Sequence, residues 1–410
     1  MTLTPQRSLL AVLAASSLTA GHALAQCGYD NGSPQCFSLA PPPSEIGNIS
    51  ENLILRSNEL TLTGDIRFRA RMADSPSGTP YADSDQISSR TRVNMDYVLN
   101  EKARAYVQFN FSETWAGSEG YSDAAPGVNY NGIGQAYLLL DDLLGEGTTV
   151  RVGRSYFTLA SGLVYGSCDF LQYPAAGTGL WISKHYDQHA VELFGFDNNG
   201  TVTSAADGTR FVGATGRIGL GSDELQAIEP WVLFGTGDGD ATSDDSWMGV
   251  TLHGSIGAQK EHPSMFDWNL EYARRDVDAT DETRDAYRIV LSKDTSEMWG
   301  AVKGIHLTRT ESDGAMHINP GDFNTAGLLH QFGGAWRSDL ATNQFGMHIE
   351  PNEKLDINLA FLNFDAAGNK NNELDAMVGY PLAEGVHGWL GYGRDEDDRE
   401  VIYAQMTMYF

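Results

Sequence analysis

Positive charge is in short supply in this chain. Its 410 residues hold 27 Lys and Arg against 54 Asp and Glu, a formal net charge of −27 and a pI near 4.5. Such a chain has no basic footprint for nucleic acid, and general nucleic-acid binding is excluded. Cysteine is scarce too, at three. Cys27 and Cys36 lie close together in an irregular segment and are expected to form a short-loop disulfide once exported. Cys168 is left over, and no sequence pattern sets a base beside it. Long apolar runs are also missing. No stretch of 18 or more apolar residues follows the first two dozen, which excludes a helical membrane protein. Mean hydropathy is only −0.31. That value does not imply solubility, because a barrel strand turns only alternate residues to lipid.

Residues Met1–Ala25 read as a secretory signal. Arg7 supplies the positive start, Leu9–Ala20 is too short to span a bilayer, and Ala23-Leu24-Ala25 is an A-x-A cleavage site. The mature chain is expected to begin at Gln26 and to leave the cytoplasm. A lipid-modified Cys27 is the alternative, with bulky Gln26 standing where a small residue is expected. Residues 26–58, with Pro41-Pro42-Pro43, form an irregular N-terminal segment on the periplasmic side.

From Leu60 the chain becomes a series of alternating strand-length segments separated by turn residues. In Leu60–Met72, Asp65, Arg67, Arg69 and Arg71 share one phase, and Ile66, Phe68, Ala70 and Met72 the other. In Ser88–Leu99, Arg90, Arg92, Asn94 and Asp96 oppose Val93, Met95, Tyr97 and Leu99. After a tight Asn100-Glu101-Lys102 turn, Arg104, Tyr106, Gln108 and Asn110 oppose Ala105, Val107, Phe109 and Phe111. A face with four charged or amide groups needs water, and an apolar row needs hydrocarbon or a core. Further strands are placed near 133–141, 148–157, 179–187, 189–197, 210–220, 224–236, 246–257, 265–275, 284–293 and 298–310. The last five lie near 342–350, 354–364, 373–381, 385–394 and 398–410.

The fold expected is an all-β, antiparallel transmembrane barrel over residues 59–410. It has about 18 strands, with 16 as the alternative, short periplasmic turns and long outer loops. Residues 311–341 read as one long outer loop in which Thr325–Trp336 is the place where a further strand can hide. The final strand carries Ile402, Ala404, Met406, Met408 and Phe410 in one phase. A terminal aromatic strand resembles the assembly signal of bacterial outer-membrane barrels, with Phe410 as the signal residue. It implies the barrel assembly machinery, outer-membrane lipid and lipopolysaccharide as partners. Aromatics near strand ends (Trp115, Tyr156, Phe157, Trp181, Tyr186, Trp231, Trp247, Trp268, Trp299, Tyr409 and Phe410) are expected to form the interfacial girdle.

The lumen is where function is written. Arg67, Arg69, Arg71, Arg90, Arg92, Arg104 and Arg151 all fall on the polar phase of early strands, with Asp65 and Asp96 placed to pair with some of them. Asp267, Glu271, Asp356, Glu373 and Asp375 take that phase later. A basic wall facing acidic groups focuses an anionic or polyhydroxylated solute; arginines that only form ion pairs and stiffen the barrel are the bland reading. The Gly-rich loop Thr158–Gly179 either folds inward or caps the rim. If inward, Tyr165, Asp169 and Tyr173 face the arginines. Acidic loops around Asp238–Asp245, Asp276–Glu282 and Asp395–Asp398 read as solvated surface, with divalent-cation binding that bridges them to anionic lipid headgroups as the alternative. None fits an EF-hand, so no metal and no cofactor is assigned.

Arg151-Val152-Gly153-Arg154 followed by Gly162 to Cys168, Phe68–Arg71 followed by Arg90-Thr91-Arg92, and Glu373-Leu374-Asp375, Gly379-Tyr380 and Gly391-Tyr392-Gly393 resemble outer-membrane porins of the alginate export type. The resemblance covers about residues 60–410. It implies an 18-stranded barrel with an arginine-lined pore for a polyuronate, and Arg67, Arg69, Arg90, Arg92 and Arg151 as lumen contacts. This chain departs in its acidity and its acidic late strands. A general diffusion porin is the alternative, and an outer-membrane surface or structural protein is the alternative of another class. No catalytic constellation is found, so no enzyme is read: the histidines are scattered and no Ser sits in a G-x-S-x-G run. Too few residues precede Leu60 for the plug of a gated transporter.

Overall fold

The computed structural model describes residues 55–56, 60–74, 85–117, 130–166, 176–198, 209–222, 224–237, 244–257, 265–314, 316, 318, 328, 340–366 and 369–410. The expected signal, the Cys27–Cys36 pair, Cys168, Asp169 and Tyr173 lie outside them.

A two-residue strand, β1 (Leu55–Arg56), pairs with the start of β2 (Leu60–Asp74). The chain continues through β3 (Gln86–Asn100), β4 (Ala103–Gly117), β5 (Tyr130–Asp141), β6 (Thr148–Tyr156), β7 (Ala176–Tyr186), β8 (His189–Asp197), β9 (Arg210–Gly219) and β10 (Ala227–Thr236). Then come β11 (Ser246–Ile256), β12 (Phe266–Val277), β13 (Glu282–Asp294), β14 (Val302–Ser312), β15 (Leu340–Asn352), β16 (Leu355–Ala366), β17 (Asn369–Ala383), β18 (Val386–Asp395) and β19 (Glu400–Tyr409). Each of β2 to β19 pairs antiparallel with the next, and β19 pairs back onto β2. The result is a closed ring of 18 strands, not 16. Closure satisfies the backbone without an edge, as an apolar surround demands.

The two phases separate as the alternation requires. On β2, Asp65, Arg67, Arg69 and Arg71 are 2–3% exposed, while Phe68 and Met72 are 37% and 48% exposed. Phe111, Leu138, Leu193, Phe234, Leu307, Phe361, Leu390 and Met406 continue the apolar outer surface round the ring. A continuous apolar belt on a closed barrel is a surface for hydrocarbon, not water. No described helix is long and apolar enough to cross a membrane; the strands make the crossing.

Two local features differ from the sequence reading. The strand expected from residue 298 starts at Val302, because Ser296–Trp299 forms one helical turn ended by Gly300 at φ +60°. Among the described residues between Ser312 and Leu340 there is no strand. The expected girdle also divides. Trp115, Tyr186 and Trp299 are exposed on the outer surface. Phe157, Trp181, Trp231, Trp247 and Tyr409 are 1–7% exposed and belong to the interior. Trp181, Trp231, Trp247 and Tyr409 sit on the inward phase and Phe157 opens the loop after β6, so the barrel wall itself separates them from lipid.

Candidate pore lining

The inner wall of β2 and β3 is built around arginine. Register places Arg67 directly opposite Arg90 and Asp65 opposite Arg92. Like charges directly opposed are unfavourable in a sheet, and Asp65 offsets them. Its Oδ2 lies 2.5 Å from Arg92 Nε and its Oδ1 3.5 Å from Arg90 Nη2. Across the closing seam, Arg69 Nε donates to Gln405 Oε1 at 2.8 Å and Arg71 Nε to Tyr403 Oη at 3.3 Å. Arg69, Arg71, Arg90 and Arg92 are thus fixed in place and, with Arg67, are 0–3% exposed.

The other two arginines expected on this wall are held elsewhere. Arg104 points inward near the short β3–β4 turn, where Asp96 takes it in a two-pronged ion pair with Nε 2.5 Å from Oδ1. Arg151 lies on the next wall with its guanidinium 4.7 Å from the ring centroid of Trp181. A basic cluster of five, rather than seven, therefore results. Aromatic stacking satisfies a cation without a carboxylate, and strand phase alone does not reveal it.

From β6 to β12 the interior is filled by chain. After β6 the loop 157–166 turns inward. Its Leu159, Leu163, Val164 and Tyr165 are 0–1% exposed and pack with Phe157 on Trp181, Phe194, Phe196, Phe211, Trp231, Leu233 and Trp247. Gly162, at φ +83°, supplies the left-handed turn that reverses the loop, and Leu159 N–H bonds to the Tyr165 carbonyl at 2.9 Å. At its tip Ser161 N–H donates to Glu271 Oε2 on β12 at 3.2 Å, six strands from where the loop began. Tyr165 Oη donates to Asn198 Oδ1 at 3.0 Å. The β14–β15 connection joins it: Ile318 N–H donates to the Val164 carbonyl at 2.8 Å, and Trp247 Nε1–H to the Met316 carbonyl at 3.3 Å.

The loop therefore folds inward, and Tyr165 packs among aromatics instead of facing the arginines. Its apolar run inside a Gly-rich segment is the sequence signal for this.

The late strands carry the opposite charge. Glu373 and Asp375 on β17 are each 1% exposed. Asp375 sits opposite Gly393, which has no side chain to crowd either carboxylate: a Cβ there would stand 2.7 Å from Asp375 Oδ1 and 3.1 Å from Glu373 Oε1. Leu328, from the same inward connection, donates its N–H to Asp375 Oδ2 at 3.0 Å. Asp356 Oδ1 lies 3.3 Å from His348 Nε2. Asp267 accepts from Ser255 Oγ at 2.6 Å. Sequence reasoning missed Arg288, which stands opposite Glu271 on β13, and the buried His306 on β14; their inward phase was the available signal.

No protein-family model matches the chain, and no curated protein matches it. Solved structures do. OccD3 (OpdP) of Pseudomonas aeruginosa superposes with a TM-score of 0.62 at 13% identity, covering 93% of this chain and 98% of that one. OccK2 (OpdF) of the same organism, solved in complex with glucuronate, gives 0.64 at 11% identity, with coverages of 86% and 98%. OpdK of Pseudomonas aeruginosa, solved with vanillate, gives 0.61 at 12% identity, also covering 86% and 98%. These are similarities of architecture between distant sequences. The neighbours are Occ-type porins rather than alginate export porins. The closed, 18-stranded antiparallel ring with its apolar belt is the fold of the Gram-negative outer-membrane porins.

Proposed function

We propose that this chain is a passive outer-membrane channel for small hydrophilic solutes that carry a carboxylate. One observation carries the reading: Arg67, Arg69, Arg71, Arg90 and Arg92 stand on the inner face of two neighbouring strands, with Asp65 as the carboxylate among them. Fixed guanidiniums inside a low-dielectric wall attract and orient carboxylates, and several in sequence let one be passed along rather than trapped. Glucuronate and vanillate, bound in two of the architectural neighbours, are both small carboxylates.

A polyuronate exporter uses the same basic wall. The inward loop favours a small solute instead, because it lies across a third of the strand ring and is pinned to Glu271. The test is current block in a planar bilayer. Millimolar glucuronate is expected to interrupt the chloride current, and a polyuronate of many residues to leave it largely intact from either side. Block by the polymer at lower uronate concentration than the monomer supports export of a polymer. No block by either overturns the carboxylate reading.

A further inference from the structure

Three times on the outward face of the ring, a tyrosine, a carboxylate and an arginine come together. On β12 and β13, Tyr272 Oη donates to Asp285 Oδ1 at 2.6 Å, and Asp285 stands opposite Arg274. On β13 and β14, Tyr287 Oη and Arg309 Nη2 both donate to Glu311 Oε2 at 2.5 Å. On β18 and β19, Tyr392 Oη donates to Glu400 Oε1 at 2.7 Å, with Arg394 Nη1 3.3 Å from the same oxygen. Arg309 shares the phase of Leu307, and Tyr392 that of Leu390, both exposed on the apolar belt. These groups therefore face lipid, not the lumen. The side chains of Arg274, Arg309 and Arg394 keep 45%, 34% and 48% of their surface exposed.

All three sets lie at the strand ends away from the two-residue turns 101–102, 187–188, 353–354 and 384–385, which is the outer-leaflet side. Between the second and third, a line of amides continues on the same face. Arg309 stands opposite Asn343, Asn343 opposite Asn363 and Asn363 opposite Asn372. Arg309 Nη1 donates to Asn343 Oδ1 at 3.1 Å, Asn363 Nδ2 to Asn372 Oδ1 at 2.8 Å and Asn372 Nδ2 to Glu396 Oε2 at 2.6 Å. Lys370, 81% exposed with Asp365 3.9 Å away, closes the line on β17. Arg309 and Lys370 are three strands apart, about 14 Å at the usual strand spacing. The opposite end of the belt is built differently: its outward Lys184 and Lys293 stand opposite Val191 and Ile305.

Exposed ion pairs contribute little to stability by themselves. Their chemistry fits a ligand better. A guanidinium with spare N–H groups takes a phosphate in two bonds. A carboxylate repels phosphate but shares a divalent cation with it. Asp276 and Asp398 add further carboxylates beside Arg274 and Arg394. Amides donate to and accept from sugar hydroxyls. Cations at both ends, amides between them and surplus carboxylates around them complement a phosphorylated disaccharide whose phosphates are bridged by Mg²⁺. Isolated lysines, as on the other end, suit the single phosphate of a phospholipid.

We infer that the outward line from Arg309 through Asn343, Asn363 and Asn372 to Lys370 is a binding site for one lipopolysaccharide headgroup. Arg309 and Lys370 hold its two phosphates, the amides bond to its sugars, and the neighbouring carboxylates share its divalent cations. The site is independent of what passes through the pore.

The experiment titrates the purified full chain in detergent with bisphosphorylated lipid A and Mg²⁺, counting bound lipid by native mass spectrometry. The parent is expected to retain one lipid A tightly and to weaken when EDTA removes the cation. Arg309→Gln with Lys370→Gln is expected to lower the affinity at least tenfold, the factor for one lost bond to a charged group. Lys184→Gln, on the outward face of the opposite end, is expected to leave it alone. Monophosphorylated lipid A is expected to bind the parent more weakly. An affinity unchanged within about twofold in the double variant overturns the inference. Phosphatidylglycerol that binds the parent as tightly, and is lost in the same variant, overturns it too and makes the line an ordinary phospholipid contact. Should the double variant not fold, Arg309→Gln alone carries the test, with the same tenfold loss expected.

Discussion

Replacing Tyr165 by Ala tests whether the inward loop is held by the aromatic cluster. The side chain is completely buried, with ring centroids 5.8 Å from Phe157, 5.1 Å from Phe196 and 6.2 Å from Phe211. Truncating a buried aromatic costs about 3–5 kcal/mol, and the bond from its hydroxyl to Asn198 Oδ1 adds about 1 kcal/mol. The wall of β7 to β11 is closed by backbone bonds and stays formed, so the loss falls on loop docking. About 4 kcal/mol is close to a thousandfold in the docked-to-undocked ratio. Single-channel recording then shows long visits to a larger conductance, where the parent channel gives one steady level. Limited proteolysis cuts the variant within residues 157–166. Leu193→Ala, one residue from Phe194 but 52% exposed on the lipid face, changes neither. A Tyr165→Ala channel with the parent conductance and no new cleavage refutes the claim that this cluster holds the loop.

Three further outcomes follow from the geometry. Asp65→Asn removes the carboxylate that neutralises Arg92 and Arg90, so the reversal potential in a KCl gradient shifts toward chloride, most clearly at low salt where screening is weak. Gly64→Ala places a Cβ 2.3 Å from the Arg92 carbonyl and 2.6 Å from Phe410 Cζ, at the point where Gly64 and Phe410 exchange backbone bonds of 2.7 and 3.0 Å. Refolding yield, read by heat-modifiable electrophoretic migration, falls sharply. Met406→Arg, on the outer belt at 42% exposure, costs about 2–4 kcal/mol if its depth is near the bilayer midplane. Denaturant unfolding in lipid measures it, while conductance is unchanged.

The strands were legible because lipid and lumen impose a period of two. Phe68 and Met72 against Arg67, Arg69 and Arg71 state that rule within a few residues, and the same rule located each strand of the ring. The direction of the tryptophans was not legible. Trp247 shares its phase with Thr251, His253 and Ser255, and Trp181 with Ser183 and His185, but a tryptophan near a strand end suits a lipid interface as readily as packing on an inward loop. Composition alone does not distinguish those surroundings. Arg151 shows the same limit: its phase was evident, but its capture by Trp181 depends on neighbours set by register, whereas Asp96 was already placed to pair with an arginine and takes Arg104. The inward loop left a trace in Leu163-Val164-Tyr165, too apolar for an exposed rim. Its anchor on Glu271 joins residues 110 positions apart and had no local signature.

The most direct measurement is the reversal potential of the parent channel and of Arg69→Gln/Arg90→Gln in a gradient of potassium glucuronate at low ionic strength. Both residues lie within the arginine wall at 0–2% exposure, away from the acidic outer loops. The account predicts measurable glucuronate permeation in the parent and a shift of several-fold toward potassium in the variant. An identical potential in the two channels contradicts it, because the arginines of β2 and β3 then do not act on what passes through.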